Sequence, residues 1–237
     1  MGNQRALLIG NSDGIGLGFT KHLIQAGWSV TGISRSPLDG AQLPGEPGDY
    51  NHTICNVLDP GFRQCLTTAW AKQGPFDLVV HLVGVGYGLE RDDFGREAET
   101  FRANLVSLVE TVEVVMPEFL AMGHGHLMGL SSIADDILMA EAPSYGASKA
   151  GYSTYLNSLA FRSKKRGVSV TNVRFGFVDT KMAKGAHRPF MISVDRAAKV
   201  LMRCVHKRPM QMTYPKTMGA VIRVLRRLQS LRIWLGG

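Results

Sequence analysis

Short apolar runs alternate with longer amphipathic segments along almost the whole chain, and this alternation restricts the fold more than any other feature. Arg5 to Gly10, Ser29 to Ser34, His52 to Val57, Asp77 to Val83, His126 to Ser131 and Val168 to Phe175 read as strands, and a shorter one spans Gln211 to Tyr214. Between them lie segments of helical length: Gly16 to Ala26, closed by Gly27; Gly61 to Lys72; Glu97 to Met122; Ser144 to Arg166; and Val194 to His206, with Ser193 as N-cap. Leu78-Val79-Val80-His81-Leu82-Val83 is apolar at nearly every position rather than every second one, which requires cover on both faces of the sheet. The expected fold is α/β: a doubly wound parallel sheet of about seven strands with helices on both faces. A basic amphipathic helix, Thr217 to Trp234, is expected to follow it. Residues 1–215 read as one domain and 216–237 as a helical extension, because 237 residues leave room for a single well-buried core.

Charge is unevenly distributed. The net charge is +8, yet Arg203, Lys207, Arg208, Lys216, Arg223, Arg226, Arg227 and Arg232 follow Met202 with no acid among them. The other 19 basic residues are balanced by 19 Asp and Glu, so the main body offers no electrostatic reason to bind nucleic acid. Cys55, Cys65 and Cys204 are odd in number and widely spaced, and no signal-peptide pattern precedes the first strand. Both point to a reducing cytoplasm. His124-Gly125-His126 lacks the further ligands a metal needs and reads as a polar turn, so no metal is expected.

Gly10-Asn11-Ser12-Asp13-Gly14-Ile15-Gly16 falls between the first strand and the first helix, where free backbone N–H groups and the positive helix end favour a phosphate. Location carries this reading, since the glycine spacing alone is common. The second strand ends Ile33-Ser34-Arg35-Ser36, without the carboxylate that an NAD site offers to the ribose hydroxyls. Ser34 would not repel a 2′-phosphate and Arg35 could pair with it, so NADP is favoured and NAD is the alternative. Asp13 runs against this, because a cation in the loop would serve a phosphate better.

Tyr145-Gly146-Ala147-Ser148-Lys149 opens a helix, putting a phenol and an ammonium on one face a turn apart. A nearby cation stabilises phenolate and so lowers a tyrosine pKa, which suits proton exchange with an alcohol or alkoxide. Ser132 stands at the carboxyl end of the fifth strand, the ligand-binding end of a parallel sheet. Taken in order, Gly10-x-x-x-Gly14-x-Gly16, Asn104, Ser132 and Tyr145-x-x-x-Lys149 resemble the single-domain branch of the short-chain dehydrogenase/reductase family, over roughly residues 4 to 214.

The resemblance implies a Rossmann-type fold and an oxidoreductase that interconverts a carbonyl and an alcohol by hydride transfer with NADP or NAD. Tyr145 would be the acid/base, Lys149 would bind the nicotinamide ribose and depress the tyrosine pKa, Ser132 would hydrogen-bond the substrate oxygen, and Asn104 would hold a water linking Lys149 to solvent. Cofactor contacts would come from Gly10 to Gly16, Ser34, Arg35, Asn56, Val57, Val83, Gly84, Gly176, Val178 and Thr180, besides Tyr145 and Lys149. Three segments depart from the family pattern. Its Asn-Asn-Ala-Gly element is His81-Leu82-Val83-Gly84, its adenine-contacting Asp is Asn56, and its Pro-Gly is Phe175-Gly176.

Substrate walls are expected at Gly86-Tyr87-Gly88, Ile133 to Met139 and a lid from Met182 to Met191, whose methionines, Phe190 and His187 suit a mostly apolar small molecule. Tyr152 and Tyr155 read as core or interface. A homodimer or homotetramer through the two long helices is the family expectation. The terminal helix places Val221, Val224, Leu225, Leu228 and Leu231 on one face, and this stripe could pack on the domain, on a second subunit or, peripherally, on an anionic membrane. A non-catalytic cofactor-binding protein and a peripheral membrane reductase of a lipid-like ketone stand as alternatives.

Overall fold

The computed structural model describes residues 4–38, 40–45, 49–89, 93–183 and 188–236. Seven strands, β1 (Arg5–Ile9), β2 (Ser29–Ser34), β3 (Tyr50–Ile54), β4 (Leu78–His81), β5 (Gly125–Ser132), β6 (Val168–Phe175) and β7 (Gln211–Tyr214), form one sheet in the order β3-β2-β1-β4-β5-β6-β7. All pairings are parallel. This is the doubly wound sheet the sequence predicts.

Helices α1 (Gly14–Gln25), α2 (Phe62–Gln73), α4 (Ser107–Met122), α5 (Pro143–Ser163) and α6 (Val194–Lys207) cover the two faces. Side-chain alternation along each strand divides the core. In β1, Ala6 and Leu8 join Phe19 and Leu23 of α1 and Leu201 of α6 on one face, whereas Leu7 and Ile9 meet Phe62 of α2, Phe119 of α4 and Leu156 of α5 on the other. β1 and β4 are therefore buried along nearly their whole length, as their unbroken apolar sequence requires. Full burial of one such aliphatic side chain contributes roughly 1.5–3 kcal/mol.

Two expected elements differ from their sequence readings. The segment Glu97 to Met122 is not one helix: α3 (Glu97–Phe101) passes through a π-helical turn, Arg102–Val106, before α4 begins. Apolar periodicity is blind to one extra residue per turn, and such turns mark functional positions in helices. The third strand lies two to three residues earlier than His52 to Val57, because Val30 to Ser34 of β2 pair in register with Tyr50 to Ile54.

Chain order reverses between β1 and β4, whose register sets Ile9 against His81. β1 winds outward to β2 and β3, and β4 outward to β5, β6 and β7, leaving a crevice at the carboxyl ends of the central strands. The same registers align Ile9 with Ile33, Ser132 with Phe175, and Phe175 with Tyr214. Gly10, Ser34, Gly84, Ser132 and Gly176 consequently arrive at one edge of the sheet.

A last helix, α7 (Lys216–Trp234), extends from β7 and docks on the segment after β5. Met218 and Ile222 are buried against Ile133. The expected stripe of Val221, Val224, Leu225, Leu228 and Leu231 does not pack on the domain: all five are exposed, and the adjoining face makes the contact.

Candidate active site

The turn from β1 into α1 exists only because its glycines lack side chains. Gly10 has φ +88°, and a Cβ on Gly16 would lie 2.3 Å from the Gly10 carbonyl oxygen. The Gly10 N–H donates to the Ile33 carbonyl at 2.7 Å, tying the turn to β2, and Val83, just past the end of β4, packs against Gly10. Asn11 is buried beneath the turn and donates to the Tyr50 hydroxyl at 2.8 Å, which lies 2.6 Å from His52 Nδ1. Burial pushes the Tyr50 phenol up to about 12. Ser12 and Ile15 are half-buried in the turn.

Asp13 caps α1 by accepting from the Gly14 N–H at 2.7 Å. Its carboxylate also meets Lys181 at 2.7 Å, and that ammonium, with the Gly14 N–H, holds the Asp13 carboxyl below the usual range. Asp13 therefore does not stand alone as a negative charge, contrary to the concern raised by its sequence position. Thr180 lies against Gly14, and a cleft of about 730 Å³ opens here between α1, Asp179 to Lys181 and the start of α6.

At the end of β2, the buried Ser34 hydroxyl donates to the Ser36 carbonyl at 2.8 Å and lies 3.3 Å from His52 Nε2. Arg35 is exposed and forms no ion pair among the described residues. Tyr50 and His52, which the sequence reading passed over, share one face of β3 and line this corner. Asn56 accepts from the Leu58 N–H at 3.2 Å, and the neighbouring Val57 packs with the core on the α2 side.

Across the crevice, α5 begins at Pro143 and carries Tyr145 and Lys149 toward β4 and β5. Bare backbone runs alongside both: a Cβ on Gly86 would lie 3.3 Å from the Tyr145 ring, and one on Gly84 would lie 3.4 Å from Lys149 Nζ. Ser132 accepts from the Ala134 N–H at 3.1 Å and interacts with the Tyr145 phenol. Lys149, almost completely buried, donates to the Leu130 carbonyl at 2.9 Å and stands 4.8 Å over the Tyr152 ring. Burial brings its ammonium down to about 8.

The Tyr145 phenol departs from its expectation. Its pKa is raised, because burial and the nearby Asp135 charge outweigh the lowering by Ser132. Lys149 turns its ammonium to a backbone carbonyl, so it does not hold the phenol down here.

Asn104 sits in the π-helical turn, fully buried. Its amide donates to the Val85 carbonyl at 2.9 Å and to Ser148 at 3.0 Å, and its carbonyl accepts from the Val85 N–H at 2.7 Å. It thus clamps the segment after β4 to α5. His81 bridges Tyr152 (Nδ1, 3.1 Å) and Ser107 (Nε2, 2.9 Å). Burial and the Lys149 charge push His81 down to about 3, so it is neutral. His126, where the sequence turns into the fifth strand, lies inside β5 with Nε2 2.8 Å from Thr171, and is pushed down to about 3 by burial.

Sequence reasoning also missed a charged cluster behind Ser132. Arg174 of β6 pairs with Asp135 and Asp136, Asp135 accepts from Ser153, and Arg226 of α7 reaches Asp136 at 3.1 Å. Two adjacent acids directly after a strand end were the available signal. Among the other expected positions, Gly176 packs beneath Met218, and Val178 bridges to Ile192. Of the expected lid, Met182, Phe190 and Met191 are exposed, and His187 lies outside the described residues. Among the described residues no three His, Cys, Asp or Glu side chains gather as a metal site.

Residues 4–189 match the short chain dehydrogenase family. The chain belongs to that family. Among its relatives, an "Uncharacterized oxidoreductase" of Myxococcus xanthus is 27% identical over 97% of this chain and 94% of its own. The 3-oxoacyl-[acyl-carrier-protein] reductase FabG of Escherichia coli is 28% identical over 83% and 80%, and a "Probable NADP-dependent dehydrogenase" of Haemophilus influenzae is 29% identical over 84% and 81%. A short-chain dehydrogenase from Streptomyces avermitilis has the same fold, with a TM-score of 0.84 at 19% identity over 99% and 96% of the two chains. This short chain dehydrogenase is therefore an oxidoreductase of a family that uses NAD(P) on small carbonyl or alcohol substrates.

Proposed function

We propose that this protein is an NADP-preferring reductase or dehydrogenase that interconverts a largely apolar ketone or aldehyde and its alcohol, with Tyr145 moving the proton. One observation carries the reading: Tyr145, Ser132 and Lys149 converge beside bare backbone at Gly84 and Gly86, on the same sheet edge as the glycine turn. A dinucleotide fits the residues present. The first-turn N–H groups of α1 beyond Gly14, whose own N–H is taken by Asp13, suit a pyrophosphate, Gly10, Gly14 and Gly16 present bare backbone there, and Thr180 flanks the turn.

When bound, the nicotinamide supplies or takes the hydride. Tyr145 gives a proton to the carbonyl oxygen in reduction and takes it back from the alcohol in oxidation. Ser132 donates a hydrogen bond to that oxygen, which stabilises charge as it develops there. Lys149 holds the nicotinamide ribose. With its pKa near the working range, it gains or loses a proton more readily than an exposed lysine. The side-chain amide of Asn104 is committed to Val85 and Ser148, so Asn104 serves this site by fixing the segment after β4 against α5.

NADP preference is supported by Arg35, exposed and without an ion pair among the described residues, by the absence of a carboxylate in Ile33-Ser34-Arg35-Ser36 at the end of β2, and by the likeness to the probable NADP-dependent dehydrogenase of Haemophilus influenzae. A homodimer or homotetramer through α4 and α5 belongs to the same reading, supported by exposed Phe101, Val106 and Phe161 on that side, as does a cytoplasmic location. No helix among the described residues is long and apolar enough to cross a membrane.

A carbonyl and alcohol panel followed by NADPH absorbance tests the reading. Tyr145→Phe should lower kcat by roughly 10² to 10⁴-fold with cofactor affinity nearly unchanged. Arg35→Ala should weaken NADPH far more than NADH. Saturable NADPH binding without turnover on any substrate would make the protein a binder instead.

A further inference from the structure

α7 has one face committed to the domain and the other uncovered. Met218 and Ile222 pack on Ile133, Arg226 pairs with Asp136, and Gln229 exchanges hydrogen bonds with the Leu138 N–H (2.8 Å) and carbonyl (3.0 Å). These positions recur every three to four residues and define a continuous inner stripe. Val221, Val224, Leu225, Leu228, Leu231 and Trp234 lie off it and are exposed, Val224 by 59%, Leu228 by 58% and Trp234 by 80%. Apolar side chains of this size, contiguous on one helix, mark an interaction surface.

Charge identifies the partner. Arg223, Arg227 and Arg232 border the exposed stripe, and the chain has no Asp or Glu after Asp195. Among the described residues none of these three arginines has a carboxylate partner. A second copy pairing stripe to stripe would set arginine against arginine with nothing to neutralise them. An anionic lipid surface satisfies both features: the apolar stripe enters the headgroup and acyl boundary while the arginines meet phosphates, and tryptophan favours that interface.

We infer that α7 is a membrane-docking helix that seats this protein on anionic lipid, lying in the interface rather than spanning it. The inference stands whether or not the hydride chemistry above is correct. It also puts the segment after Ser132, to which α7 is fastened, at the lipid surface.

Flotation of the full chain with phosphatidylcholine vesicles, with and without phosphatidylglycerol, tests it. Each basic residue near an anionic surface strengthens binding roughly fivefold, so three unpaired arginines predict partition about 100-fold stronger on the anionic vesicles, falling steeply in 0.5 M salt. Leu228→Glu with Leu231→Glu should remove this binding and leave thermal unfolding unchanged, because both side chains are solvent-exposed. Equal partition into the two vesicle types, or a double variant that floats like the parent, would overturn the inference. So would a parent that binds neither vesicle but forms a dimer lost in the double variant, since the stripe would then be a subunit interface.

Discussion

Two buried neutral histidines give this fold a calculable acid sensitivity. His81 and His126 lie inside adjacent strands and are each pushed down from 6.5 to about 3, first by burial and then by a nearby cation, Lys149 for His81 and Arg208 for His126. In the unfolded chain both protonate near pH 6.5, whereas in the folded chain neither does until about pH 3. Between those values the unfolded state binds more protons, so stability is full above pH 6.5 and falls as pH drops. Each histidine should then remove about 2 kcal/mol between pH 7 and pH 5, and the pair about 4 kcal/mol. His81→Asn keeps a polar group between Tyr152 and Ser107 but cannot titrate, so it should halve the histidine part of this loss. Urea denaturation followed by tryptophan fluorescence at pH 7, 6 and 5 measures the slope for parent and variant. Identical slopes would refute the assignment of His81 as a proton-excluding group.

Two further outcomes follow from the packing around the crevice. Asn104→Ala leaves the Val85 N–H and carbonyl without partners and should destabilise the fold by about 2–4 kcal/mol, read from the urea midpoint, while lowering turnover because the segment after β4 loosens. Gly16→Ala forces a Cβ to within 2.3 Å of the Gly10 carbonyl, so the turn must open; NADPH affinity measured by calorimetry should fall at least about 30-fold, whereas Gly27→Ala, far from the crevice with no atom in the way of a Cβ, should cost stability alone.

The layered sheet was readable because its signals are local. Ala6 to Ile9 and Leu78 to Val80 are apolar throughout, Ser193 caps α6 by accepting from Arg196, and Gly27 closes α1 with φ +81°. Tyr145 and Lys149 were readable for the same reason, being one turn apart on one helix. What escaped depends on contacts between distant segments. Nothing in Arg102 to Val106 announces a π-helical turn, and no periodicity links Arg174 to Asp135. His81 looked like a departure needing an explanation, which arrived only when β4, α4 and α5 placed Ser107 and Tyr152 on either side of it. The direction of the Tyr145 shift was missed because sequence gives the spacing to Lys149 but not where the ammonium points.

Asp136 answers to two arginines from separate elements, Arg174 in β6 and Arg226 in α7. Trimming the terminal helix to obtain a tidier protein would therefore not be a neutral edit. It would strip one counterion and the cover over Ile133 together, leaving the stretch that follows Ser132 to find a new resting place. The tail that looks most dispensable in the sequence is a brace for the segment next to the proposed acid/base pair.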